Sequence, residues 1–383
     1  MTLPILAWLS ILLAITAASP REEPPTREEV ARCIDGAARW LVANQRADGA
    51  WGSHRTQRVS EYLCSVPGSH DAYRIATTSL CIIALMDAPA ETDGRDQAVE
   101  HGLDYLLAHY DVKRADLTEH YNVWSIAYGL QCFGERLFAL PAGPRTTEIR
   151  EASRHLVARA RSCQALDGGW GYLSLEAVRT HPPSETSMTF VTAAMLVGLE
   201  RVQRAGLELP PSMIEAALRS IERCLLPTGS YGYGQFVQTM PFLGVNQPAG
   251  AACRTPACQY ARGLFGRDVP VEERRRGLRD MLTKHFRFQL CSLRRPEPHA
   301  PWYQISGNFV LYGRAYGAYV LEGLPAADQL PLASEFVRNL RYCREPDGSY
   351  WDCPIYDYGH AYGTAYALIA LSRVNLTSPA SGE

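Results

Sequence analysis

Apolar residues recur at i, i+3 and i+4, with charge on the opposite side, in six segments: 30–45, 97–110, 147–164, 212–226, 273–290 and 333–344. This spacing predicts six amphipathic helices. After each comes a second segment, apolar nearly all round and rich in Gly, Ala, Ser and Thr: 73–86, 121–133, 186–202, a degenerate 250–265, 308–324 and 360–374. A helix with no polar face is buried on both sides. The alternation therefore predicts six pairs, each an outer amphipathic helix followed by an inner buried one. Six such pairs close most simply into a double ring, an all-α α6/α6 toroid of six helix-hairpin repeats of about 60 residues.

A phrase repeats in register with this pattern. It reads NQRADGAWG at 44–52, CQALDGGWG at 163–171, CLLPTGSYG at 224–232 and CREPDGSYW at 343–351. Its turn positions, Asp48, Asp167, Thr228 and Asp347, are separated by 119, 61 and 119 residues (167−48, 228−167, 347−228), so two copies have lost it, near 108 and 288. Glycine after each turn residue permits positive φ, and Asp favours turn initiation. The aromatic that follows supplies an anchor between neighbouring repeats.

DGAWG, DGGWG, GSYGYG and DGSYW, each after an outer helix, resemble the QW-type repeats of squalene–hopene cyclases and protein prenyltransferase β subunits. Gln45 and Gln164 stand where the Gln of that motif belongs, and GTAYALIALS (363–372) is similar to the last inner helix of that superfamily. The resemblance implies the toroid over 30–375. It does not carry an activity across. The Asp-x-Asp-Asp acid motif of squalene–hopene cyclases is missing. Asp352-Cys353-Pro354-Ile355-Tyr356 shares two letters with the Asp-Cys-Thr-Ala-Glu of oxidosqualene cyclases, and Gly363 stands where prenyltransferases place a zinc-binding His.

The 383-residue chain is 46% hydrophobic and carries a net charge of −2. It has no basic stripe of the kind a nucleic-acid partner needs. The apolar run LPILAWLSILLAITAA (3–18) has the length of a signal-peptide core, so 1–18 is expected to be a signal peptide or an N-terminal anchor. Residues 19–29 then form a linker and 376–383 a flexible tail. Export would permit disulfides among the eleven cysteines, with Cys343 and Cys353 flanking one turn and Cys253 and Cys258 five apart. A membrane would be met only through the N-terminal segment, if it is retained.

Aligning the inner helices by their apolar ends and stepping back fourteen residues places Asp71, Glu119, Glu185 and Asp357 at one point, where each helix begins. Acidic residues there cap free N–H groups and complement the helix dipole. Converging on one mouth, they would instead repel, and at least one would hold a proton or bind a cation. His360 lies one helical turn beyond Asp357 and could form an oriented base with it. The catalytic candidates are therefore Asp357, His360 and Glu185. Those for ligand contact are Asp71, Glu119, His120, Tyr121, Trp124 and Tyr358. His70, His120 and His360 beside these carboxylates offer a divalent-metal site, while metal, cofactor and oligomeric state stay open. Two readings follow: an exported toroid that binds a small molecule or glycan in its central cavity, or an enzyme using cavity carboxylates, terpenoid-cyclase-like or a glycan lyase or hydrolase.

Overall fold

The computed structural model describes residues 23–53, 55, 67–112, 123–172, 187–235, 242–284, 310–353 and 356–376. The outer helices are α1 (Arg27–Ala43), α3 (Arg95–His109), α5 (Pro144–Ser162), α7 (Pro211–Arg223), α10 (Val271–Arg279, continued by a π turn over Asp280–Lys284) and α12 (Ala326–Arg341). The inner helices are α2 (Pro67–Asp87), α4 (Val123–Ala139), α6 (Thr189–Arg204), α9 (Arg254–Leu264, preceded by the single turn α8, Pro248–Ala251), α11 (Val310–Glu322) and α13 (Tyr358–Arg373). Among the described residues there is no β-strand, only two isolated bridges, Leu225 with Tyr231 and Arg344 with Tyr350, each inside a copy of the phrase.

The inner helices pack in sequence, α2 on α4, α4 on α6, α6 on α9, α9 on α11 and α11 on α13, and α13 returns to α2. The ring is closed. Each outer helix leans mainly on the inner helix that precedes it: α3 on α2, α5 on α4, α7 on α6, α10 on α9, α12 on α11. The first outer helix, α1, completes the circle against the last inner one, α13. The packed hairpin is thus inner helix then outer helix, offset by one helix from the order in which the sequence presents them. Small residues let the inner helices touch. A Cβ on Gly198 of α6 would lie 2.6 Å from the Ala127 carbonyl of α4.

Three boundaries differ from the periodicity. Helix α1 begins at Arg27, inside the expected linker, because Thr26 caps it by accepting from the Glu29 amide at 3.1 Å. The Thr-x-x-Glu spacing is the sequence signature of such a start. Helix α12 begins at Ala326 and runs through Pro331. The Gln329 side chain ties this start to the end of α11 by donating to the Glu322 and Leu324 carbonyls at 3.2 and 2.7 Å. The degenerate 250–265 segment is two helices with a break at 252–253. Residues 1–22 and 377–383 lie outside the described residues, and no helix among those described is long and apolar enough to cross a membrane. Cys253 and Cys258 are buried free thiols, not a disulfide, and Cys343 and Cys353 are buried as well.

The phrase is one structure written four times. Gly49, Gly168, Gly229 and Gly348 have φ of 90°, 94°, 80° and 93°. The amides of Trp51, Trp170, Tyr231 and Tyr350 donate to the hydroxyls of Thr78, Thr192, Thr255 and Thr364 on the inner helices, at 3.1, 2.9, 3.4 and 2.9 Å. Where the Gln is kept, it binds the turn to the next outer helix: Gln45 donates to the Gly49 and Ala98 carbonyls, and Gln164 to those of Gly168 and Met213. A Cβ on Gly168 would need a left-handed backbone and would sit 2.5 Å from the Ala216 carbonyl. Gly168→Ala is therefore expected to cost about 1–3 kcal/mol in urea unfolding.

Candidate functional site: the mouth of the inner ring

The tail of each phrase reaches the start of the previous repeat's inner helix. The Tyr172 carbonyl accepts from the Val123 amide of α4 at 3.3 Å, and the Tyr233 carbonyl from Thr189 of α6 at 3.0 Å. The Arg55 carbonyl accepts from Asp357 at the start of α13 at 2.9 Å. In the last repeat a side chain does this work: Asp352 Oδ2 accepts from the Leu311 amide of α11 at 2.9 Å. Free N–H groups at these helix ends are thus met by the neighbouring repeat.

Asp357 stands at the N-cap of α13, but its carboxylate makes no capping bond. It accepts from Ser53 Oγ at 2.9 Å and lies 4.0 Å from His360 Nδ1. His360 is the first cause, ahead of the Ser53 bond and against the effect of burial, that holds this carboxyl below its ordinary range. His360 itself is packed toward the outer layer. Its ring centroid is 3.7 Å from that of Trp351 and 6.1 Å from that of Trp40 on α1. Trp40 Nε1 in turn donates to turn residue Asp347 at 3.0 Å. Arg74, the counterpart of His360 in the first repeat, likewise meets the turn, pairing with Asp48. The Asp357–His360 pair is therefore brought together as expected, on the side of α13 that faces the turn and α1. Tyr358 is buried, bonded through its hydroxyl to His70 and stacked on Tyr73 at 6.0 Å. Asp71 is exposed in the second turn of α2. Glu119, His120, Tyr121 and Glu185 lie outside the described residues. Among the described residues no group of three or more His, Cys, Asp or Glu side chains is placed to hold a metal ion.

The axis of the ring is occupied by aromatic residues. Tyr128 of α4 and Tyr366 of α13 share a hydrogen bond between their hydroxyls. Gln131 donates to the Tyr316 hydroxyl at 3.1 Å and to the Ala194 carbonyl at 2.9 Å, and the Tyr312 hydroxyl donates to the Phe190 carbonyl at 2.9 Å. Burial raises all four tyrosine pKa values well above the usual range, so these hydroxyls stay neutral. They form a polar, hydrogen-bonded floor. Around it stand half-buried rings at the inner-helix starts: Trp124, Tyr172, Tyr233 and Tyr362. Trp124 stacks on Tyr128 and on Phe190, at 5.7 and 6.0 Å, and Tyr172 and Tyr233 flank Phe190 with their hydroxyls bonded to each other. Among the described residues, Trp124 is the one expected ligand residue on this rim. Tyr172 and Tyr233, absent from the sequence candidates, each follow the phrase's aromatic by two positions, the offset that Ser53 and Asp352 also occupy.

No family model matches the sequence, and no curated protein does. Solved structures do match in shape. One is an inactive variant of the GH76A alpha-1,6-mannanase of Salegentibacter sp. HEL1_6, in complex with alpha-1,6-mannotetrose (8% identity, 91% of this chain and 98% of that chain, TM-score 0.57). The fold is the α/α toroid. A possible GH105 family member from Klebsiella pneumoniae shares it (12% identity, 94% and 95% covered, TM-score 0.52). A type II terpene cyclase from Scytonema covers 91% of this chain and 98% of its own at 13% identity and a TM-score of 0.49. At these identities the likeness to the mannanase and to the GH105 family member speaks for the toroid alone, and the function has to be argued from the site.

Proposed function

We propose that the protein is an exported toroid that binds a neutral carbohydrate at the mouth of its inner ring. The observation that carries this reading is the rim of half-buried rings, Trp124, Tyr172, Tyr233 and Tyr362, above a floor of neutral tyrosine hydroxyls. Sugar rings present apolar C–H faces and hydroxyl edges. Aromatic faces beside hydroxyl donors and acceptors match both, as ligand sites combine apolar walls with a few placed polar groups. That a toroid of similar shape was solved with alpha-1,6-mannotetrose bound supports trying mannose oligomers first. The Asp357–His360 pair, turned toward Trp40 and Trp351, serves in this reading to hold α13 against the turn and α1.

The test is titration calorimetry with neutral oligosaccharides, alpha-1,6-mannotetrose among them, on the parent, Trp124→Ala and His360→Ala. Losing an aromatic anchor costs about 2 kcal/mol or more, so Trp124→Ala should weaken binding more than tenfold. His360→Ala should bind within about twofold of the parent. Loss of binding in His360→Ala with affinity kept in Trp124→Ala would refute the reading.

A further inference from the structure

Helices α4 and α13 each carry an aromatic pair four residues apart, Trp124 with Tyr128 and Tyr362 with Tyr366. Residues at i and i+4 share a helix face, so in each pair the first ring stands one turn nearer the mouth. The lower rings meet: Tyr128 and Tyr366 join through their hydroxyls, with ring centroids 6.2 Å apart. The upper rings do not meet. Trp124 stacks on Tyr128 at 5.7 Å and on Phe190 at 6.0 Å, and Tyr362 packs on Tyr366 at 6.0 Å. Among the described residues Trp124 makes no ring contact with Tyr362. Helix α2 packs between α4 and α13, so the two upper rings stand on walls that are not neighbours.

The half-buried rings of the rim thus fall into two groups. Trp124 continues through Phe190 to Tyr172 and Tyr233, whose centroids lie 5.9 and 5.3 Å from that of Phe190. Tyr362 stands across the floor tyrosines from that group. What separates the two is a pair of hydroxyls. A hydroxyl both donates and accepts, which suits the linkage oxygen and flanking hydroxyls of a sugar chain, whereas the ring faces suit the apolar faces of its units. Apolar face, hydroxyl pair, apolar face is the order in which two successive sugar units would meet this surface.

We propose, on the carbohydrate reading, that Tyr362 is a second stacking face distinct from that of Trp124, and that the ligand is an oligosaccharide crossing the Tyr128–Tyr366 pair with a sugar unit on each side. A single unit takes the larger Trp124 group and gains nothing from Tyr362. The probes are mannose and alpha-1,6-mannotetrose, titrated into the full chain. The parent should bind the tetrose at least about tenfold more tightly than mannose. Tyr362→Leu keeps apolar bulk without a flat face, and should cut that preference about tenfold, while Tyr362→Phe should keep it within about twofold. Trp124→Ala should weaken both sugars. The subsite is overturned if the parent binds mannose as tightly as the tetrose, or if Tyr362→Leu keeps the parent's preference. It is overturned equally if Tyr362→Leu weakens both sugars alike, as one unit held between the two rings would require. The comparison on the parent needs no variant, so it decides even where Tyr362→Leu does not fold. With Trp124→Ala still weakening both sugars, any of these results removes the subsite alone. A Trp124→Ala variant that binds both as the parent does, or a parent that binds neither, removes the carbohydrate reading and the subsite with it.

Discussion

Trp170→Ala is expected to remove about 3–5 kcal/mol of stability, the range for truncating a fully buried aromatic. Trp170 has no exposed surface, and its indole N–H donates to the Ala160 carbonyl at 2.7 Å. The truncation would empty the space between α5, α6 and the turn and leave that carbonyl without its partner. Trp51→Ala should cost a similar amount, because Trp51 repeats the arrangement on the Leu41 carbonyl, also at 2.7 Å. Trp351→Ala is the control. Trp351 is half-buried and packs on His360, so its loss should cost distinctly less. Urea unfolding of the three variants checks the order. Equal, small losses for all three would mean that the repeated phrase does not hold the ring together.

Asp352→Asn should change how stability depends on pH. Asp352 is fully buried, and burial raises its pKa to about 7 from an ordinary 3.8, against the hydrogen bonds of the Leu311, Asp352 and Cys353 amides. The folded state therefore holds this proton more tightly than the unfolded chain does. Its contribution is most favourable below pH 4, declines as pH rises to about 7, and is flat above. At about 1.4 kcal/mol per unit, the decline is on the order of 4 kcal/mol as an upper bound. Asparagine keeps an oxygen for the Leu311 amide and removes the charge. The variant should match the parent near pH 4 and exceed it at pH 8, by several degrees in Tm. Asp357 has the opposite sign. Its pKa is lowered, so its contribution is present above the unfolded pKa and is lost as pH falls through the folded one. An acid limb should therefore persist in Asp352→Asn. Parent and variant with parallel pH profiles would show that Asp352 does not carry a buried proton.

The ring was legible because period and phrase point the same way. Charge on one side marked the outer helices, its lack marked the inner ones, and Asp-Gly before an aromatic marked the joint. What the pattern could not give was the offset of the hairpin, since either neighbour of an inner helix is equally close in sequence. Nor does helical period alone say which way a polar residue at a helix start points. Asp357 and His360 share a face as their spacing requires, yet that face meets Trp40 and Trp351. The packing of α1 on α13 decides this, and it joins residues more than 300 apart in the chain. Tyr172 and Tyr233 could have been found from the sequence, because they sit at one fixed offset from the phrase in consecutive copies.

The proposed carbohydrate lies over the inner aromatic rim. A crystal structure of the protein soaked with the tightest-binding oligosaccharide tests this most directly. Sugar rings are expected against Trp124 and the Tyr172–Tyr233 pair, with their hydroxyls turned toward the tyrosine layer. Sugar bound instead beside Asp357 and His360, with the rim empty, would contradict it.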